Sequence, residues 1–112
     1  MKTEVRHESD VTVVTVDGSV DALTAPDLAR AIIDEIAEGR VDLVVDLTGV
    51  EFMSSAGLRT LLGAVKESRS HGGDLRIAST NPGVDKVLKM SGFHTIAKVF
   101  TSHSDAVASF GS

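Results

Sequence analysis

Residues 43–62, LVVDLTGVEFMSSAGLRTLL, decide how the rest of the chain is read. Residues 43–47 form an apolar run of strand length, interrupted only by Asp46, and fit a buried strand. Gly49 and the mixed residues up to Met53 fit a short irregular crossing over 48–53. From the pair Ser54 and Ser55 onward, Leu58, Leu61, Leu62 and Val65 recur at helical spacing. The stretch therefore predicts a strand-to-helix junction with a polar tip, and the tip is the candidate functional site.

A helix start leaves its first backbone N–H groups without intrahelical partners, and the macrodipole adds partial positive charge there. An acidic residue in the first turn is the usual compensation. This helix has none: Ala56, Gly57, Leu58, Arg59 and Thr60 follow the serines, and the first carboxylate is Glu67. The tip is thus an anion-accepting helix end with hydroxyls beside it, able to hold a phosphate attached to a neighbouring serine. Gly57 allows another group to approach closely, at a cost of about 1 kcal/mol relative to Ala. Serine is also an ordinary N-cap, and residue chemistry alone favours that simpler role.

Outward from the tip toward the C-terminus, His71, Gly72 and Gly73 stop the helix, and residues 74–79 fit a strand with Leu75 and Ile77 on one side. Strand, helix and strand make a βαβ unit with parallel strands, which puts the serine tip at the carboxyl end of the sheet. Asn81 and Pro82 open a further helix with Val84, Val87 and Leu88 inward, ended by Ser91 and Gly92. A short strand is expected at 96–100. Ser102 with Asp105 caps a last helix carrying Ala106, Val107 and Phe110 inward.

Toward the N-terminus, a weak strand at 3–7 and a β-branched one at 11–16 flank Glu8, Ser9 and Asp10, so a hairpin is the economical arrangement. The second strand stops at Asp17 and Gly18 and reads as covered on both faces. Thr24 with Asp27 predicts a capping box, with Pro26 in the first turn and Leu28, Ile32 and Ile36 on one helix face ending at Gly39. The sum is an α/β protein, a single domain over residues 1–112, with a mixed sheet of about four to five strands and about four helices packed on it.

Composition narrows the function classes. Apolar residues make up 42% of the chain and aromatics 4%, so the core must be built from Val, Leu, Ile and Ala. A net charge of −5 without any basic cluster argues against binding nucleic acid or anionic membrane. The absence of cysteine excludes disulfides and thiolate chemistry. The first ten residues lack the apolar core of a signal peptide, no run is long enough to span a bilayer, and a cytoplasmic protein is expected.

Catalytic motifs fail at named positions. A nucleophile elbow around Ser55 would need glycine where Met53 stands, and no phosphate-binding P-loop is present. His7, His71, His94 and His103 are scattered without metal-chelating spacing. Asp42 and Asp46 share one face of a strand and read as a charged strand end rather than a carboxylate pair. No enzyme, no metal and no cofactor is expected.

The order Asp46-Leu47, Val50, Phe52-Met53, Ser54-Ser55-Ala56-Gly57-Leu58 resembles the signature of STAS domains of the anti-sigma factor antagonist type. Two further segments carry the likeness: Gly18 to Asp21 with Thr24-Ala25, and LKMSGFHTI late in the chain. The resemblance implies that Ser55, two before the glycine, is the phosphorylated serine. Where the family usually has Asp just before the acceptor, this chain has Ser54, which makes Ser54 a second candidate, and Ala56 also departs from the common pattern. Asp21, Thr24, Ser54, Ala56, Gly57 and Arg59 become candidate partner contacts, with Arg59 alternatively a clamp for the phosphate. The implied partners are an anti-sigma factor that is a serine kinase of the histidine-kinase-like ATPase fold, and a PP2C-type phosphatase. The implied function is release of a sigma factor by the unphosphorylated protein. Two other roles fit the same residues: a non-phosphorylated STAS scaffold in a transporter or signalling assembly, and a nucleotide or small-ligand sensor.

Overall fold

The computed structural model describes residues 1–111; Ser112, the last residue of the expected domain, lies outside the described residues. One mixed sheet with strand order β1-β2-β3-β4-β5 organises the chain. Its strands are β1 (Lys2–Glu8), β2 (Val11–Val20), β3 (Asp42–Met53), β4 (Asp74–Ala78) and β5 (Val99–Phe100). The helices are α1 (Ala25–Ala37), α2 (Ser55–Ser70), α3 (Pro82–Met90) and α4 (His103–Ala108), with a 3-10 turn at Phe93–Thr95. β1 and β2 form the expected antiparallel hairpin, and β2, β3, β4 and β5 run parallel.

The two sheet faces are covered unequally. Val14, Val16, Leu43, Val45, Leu47, Leu75 and Ile77 point into the main core, which α1, α2 and α3 close with Leu28, Ile32, Ile36, Leu61, Val65, Val84 and Leu88. Phe93, the largest fully buried side chain, completes it. On the opposite face α4 alone packs among the described residues, joining Val11, Val13 and Val44 through Ala106, with Val107 and Phe110 half-buried at its margin. Arg76 anchors this end: it donates to Asp74 at 3.1 Å and Ser109 at 2.7 Å and stacks over Phe110 at 3.9 Å.

Three expectations need correction. The irregular crossing at 48–53 is strand: β3 continues to Met53 because β2 itself continues past Gly18, pairing Gly49 with Asp17 and Val20 with Met53. The glycines that looked like strand ends sit at register shifts between Thr15 and Asp17 and between Gly18 and Ser19, where a bulge bends the ribbon without ending it. At Gly49 a Cβ would collide with the Asp17 carboxylate, so the close pass of the two strands requires glycine there. The strand expected at 96–100 shrinks to Val99–Phe100, since the 3-10 turn carries the chain through Ile96, which is 41% exposed. The Thr24–Asp27 capping box does not form: Thr24 occupies the N-cap position without a side-chain cap bond. Its hydroxyl is used elsewhere, as described next.

Candidate functional site

The site is built where β2 and β3 end together. The Ser54 N–H donates to the Val20 carbonyl at 2.8 Å, tying the start of α2 to the end of β2. Ser54 itself stays extended as the residue before the helix, and its Oγ accepts from the Gly57 N–H at 3.3 Å, a side-chain N-cap. Ser55 is the first residue of α2 and is exposed. The two serines that the sequence leaves as rivals are thus distinct: Ser54 is half-buried and engaged, whereas Ser55 faces solvent. No acidic residue lies in the first turn of α2, as expected.

Gly57 is buried beneath this tip. A Cβ there would come within 2.7 Å of Val20 Cγ1 and 2.5 Å of Met53 Sδ. The group that approaches Gly57 is therefore the end of the sheet itself, and the glycine sets how closely α2 seats on β2 and β3.

The loop at 21–24 folds over the same end. Asp21 Oδ1 accepts from the backbone N–H groups of Leu23 at 2.9 Å and Thr24 at 3.1 Å. The Thr24 hydroxyl donates to the Ser19 carbonyl at 3.0 Å and accepts from the Asp21 N–H at 2.9 Å. These bonds hold the loop shut and explain why Thr24 cannot also cap α1. The Thr24 N–H is the main cause that holds the Asp21 carboxyl below its ordinary value, so Asp21 is anionic at neutral pH. Beside the loop, Ala22, Ala25, Pro26, Ala56, Arg59 and Thr60 line a shallow hollow of about 300 Å³ between the starts of α1 and α2. Of the candidate contacts, Arg59 is exposed, Asp21, Thr24, Ser54 and Ala56 are half-buried at the surface, and Gly57 alone is hidden. Arg59 makes no ion pair among the described residues.

Two residues escape the sequence reading. Leu23, 88% exposed at the crest of the loop, and Phe52, 54% exposed at the end of β3, both stand at this end of the sheet. The signal for Leu23 is a large apolar residue in a turn, outside the Leu28–Ile32–Ile36 stripe. For Phe52 it is the odd register after Gly49, since Val50 and Met53 are the residues that point inward.

The residues set aside as non-catalytic are also accounted for. Asp46 is buried on the α4 face and accepts from the Thr48 N–H at 3.0 Å and the Thr48 hydroxyl at 2.7 Å, with His103 Nδ1 3.6 Å away. His7 meets Glu35 at 2.8 Å, and His71 sits at the C-cap of α2. No group of three or more potential metal ligands occurs among the described residues. No helix among them is long and apolar enough to cross a membrane.

The fold is thus an α/β layer of four parallel strands with one antiparallel edge, and a capped, acid-free helix start lies at the carboxyl end of the parallel strands. The STAS domain family model matches residues 2–106, and the chain belongs to that family. It is 30% identical over 109 residues to the anti-sigma F factor antagonist of Paenibacillus polymyxa, a match covering 96% of this chain and 92% of that one. Among solved structures it is similar to an anti-sigma factor antagonist from Mycobacterium paratuberculosis, with a TM-score of 0.90, 29% identity, and 96% and 92% of the two chains covered. The Bacillus cell fate determinant SpoIIAA, solved in its phosphorylated form, shares the fold at a TM-score of 0.75 and 18% identity, with 97% and 99% covered.

Proposed function

We propose that this protein is an anti-sigma factor antagonist that docks through the Ser55 tip and is released by phosphorylation of Ser55. The observation that carries the reading is the division of labour between the serines: Ser54 is held as the N-cap, and Ser55 stands exposed at the first helical position, at the same end of the sheet as the exposed Leu23 and Phe52. The names of the relatives supply the partner class, an anti-sigma factor. By the family resemblance that factor is also the kinase, with a histidine-kinase-like ATPase fold, and a PP2C-type phosphatase restores the free serine.

The chemistry of release is electrostatic. A phosphoryl group adds a charge of about −1.5 to −2, and enclosing it in an interface without a matching cation costs several kcal/mol. Every ~1.4 kcal/mol weakens docking about tenfold. Leu23 and Phe52 provide the apolar area a partner would cover, and Arg59 and Asp21 the charged rim.

The test is intact mass after incubation with ATP, Mg²⁺ and ATPase-fold kinases from the source organism, followed by fragmentation. One phosphate on Ser55, lost in Ser55→Ala while that variant still binds the kinase, is the expected result. Phosphate on Ser54 would shift the acceptor by one residue. No phosphate with any kinase that binds the protein would leave the scaffold role in its place.

A further inference from the structure

We propose that β1 is a self-association edge: two copies of this chain pair antiparallel along β1, about a two-fold axis at Val5, and join their sheets into one. This inference concerns the far edge of the sheet and stands independently of the Ser55 reading.

β1 is the first strand in the sheet order, and no other strand among the described residues pairs with its outer side. Exposed edges are blunted by shortness, proline, a bulge or charged side chains. Of these β1 has only the charges, Lys2, Glu4, Arg6 and Glu8, which oppose pairing in any register that does not match them: the strand runs 7 residues, KTEVRHE, in unbroken register with β2. The hairpin fixes which groups face outward. Ser9 and Asp10 form a two-residue loop, with Ser9 at φ 57, closing on the pair Glu8 and Val11. Such a loop closes on a pair that exchanges both backbone bonds, and the pattern alternates along the strand. Glu8, Arg6, Glu4 and Lys2 therefore bond inward to β2, and Thr3, Val5 and His7 turn their N–H and C=O groups to the open edge.

The side chains select one register and one occupant. With the axis at Val5, Lys2 of one copy stands opposite Glu8 of the other, Glu4 opposite Arg6, Thr3 opposite His7, and Val5 opposite itself. Every charge on the strand meets its opposite. Moving the axis to Thr3 leaves Arg6 and Glu8 without partners, and moving it to His7 sets Glu4 against Asp10. Parallel, in-register pairing would put like on like throughout. Val5, 39% exposed, gains cover at the axis, and the outward groups of Thr3, Val5 and His7 supply about six backbone hydrogen bonds across it. Arg6 at present leans along its own strand on Glu8 at 3.1 Å, so its guanidinium already lies on the face where the second copy's Glu4 would arrive. The two-fold reverses β2 and β3, so the two Ser55 tips point to opposite ends of the joined sheet and both stay open.

Sedimentation equilibrium of the full chain from micromolar to millimolar concentration tests this. The wild type is expected to pass from monomer to dimer mass. Glu4→Arg and Arg6→Glu each put like charges across the axis and are expected to cut the association constant about tenfold or more. Their equimolar mixture is the decisive sample, because each variant then offers the charge the other lacks, and it should recover wild-type association. A wild type that stays monomeric to millimolar, a dimer indifferent to both substitutions, or a mixture of folded variants that fails to associate would each overturn the proposal.

Discussion

Two glycines on one helix, Gly57 and Gly63, should respond in opposite directions to the same substitution. Alanine in a helix gains about 1 kcal/mol over glycine through backbone entropy. At Gly63 nothing lies within 4 Å of the added Cβ, so the gain is kept whole. At Gly57 the Cβ arrives 2.7 Å from Val20 Cγ1 and 3.2 Å from Val20 Cβ. Val20 is β-branched and fully buried, so it has no free rotamer into which to withdraw. Overpacking of this kind costs about 1–3 kcal/mol, which outweighs the helix gain. Gly63→Ala should therefore raise the thermal midpoint by about 4–6 °C and Gly57→Ala lower it by a similar amount, since ~1 kcal/mol corresponds to such a shift in a domain of this size. Urea unfolding with unchanged m-values would read both. Met53 Sδ, 2.5 Å away, is the end of a flexible side chain, so Val20 is the stiffer obstacle; Val20→Ala removes its Cγ1 contact, and the two changes together should be milder than the sum of each alone by about 1 kcal/mol. Equal shifts at the two glycines, or strict additivity with Val20→Ala, would refute the claim that Gly57 is fixed by the seat of α2 on the sheet.

The serines should separate in stability as well as in modification. Ser54→Ala removes the bond to the Gly57 N–H and should lose about 1 kcal/mol in urea unfolding, while Ser55→Ala at an exposed position should stay within about 0.5 kcal/mol of the wild type. Glu35 is held below its ordinary pKa, chiefly by the hydrogen bond from Arg40 and against the push of burial, with His7 adding to Arg40. A depressed folded-state pKa contributes stability that is present above the unfolded value of 4.5 and is lost as the pH falls through the folded value. Arg40→Met should therefore be less stable than the wild type at pH 7, and the two should converge in acid unfolding below that range. Asp21→Ala should accelerate amide hydrogen exchange at Leu23 and Thr24, whose N–H groups donate to the lost carboxylate, with little change at Gly57.

The parts of the fold that were legible in the sequence are those whose cause is local. Leu28, Ile32 and Ile36 mark the buried face of α1 by spacing alone, and Ser102 caps α4 by accepting from the Asp105 N–H at 3.1 Å. What stayed hidden depends on partners far along the chain. Thr48, Gly49 and Glu51 lack strand character, yet they are strand because β2 runs beside them after a bulge. Thr24 and Asp27 carry a capping signature, but the Ser19 carbonyl, five residues back, competes successfully for the hydroxyl. At the site the order of residues located the tip and, through the resemblance, put Ser55 ahead of Ser54, whereas the capping role of Ser54 is visible only in its bond from the Gly57 N–H. Leu23 and Phe52 were passed over because their exposure shows only in the fold: Leu23 sits at a loop crest with no periodicity, and Phe52 faces outward only after the register shift in β3.

The same geometry says why a phosphate on Ser55 should act on docking and not on folding. Ser54 already uses its oxygen to satisfy the Gly57 N–H, so a phosphate there would disturb the cap. Ser55 lies one residue into the helix, beside N–H groups that no first-turn carboxylate contests and one turn from Arg59. Negative charge at such a helix start contributes about 0.3–1 kcal/mol of stability. Phosphorylated protein should consequently unfold at the same temperature as the unmodified form or up to a few degrees above it, while its affinity for the partner falls about a hundredfold or more. Calorimetry of both forms alongside a binding titration separates the two effects. A thermal midpoint that drops by several degrees on phosphorylation would mean that release comes from distortion of the tip, and the electrostatic account would fail.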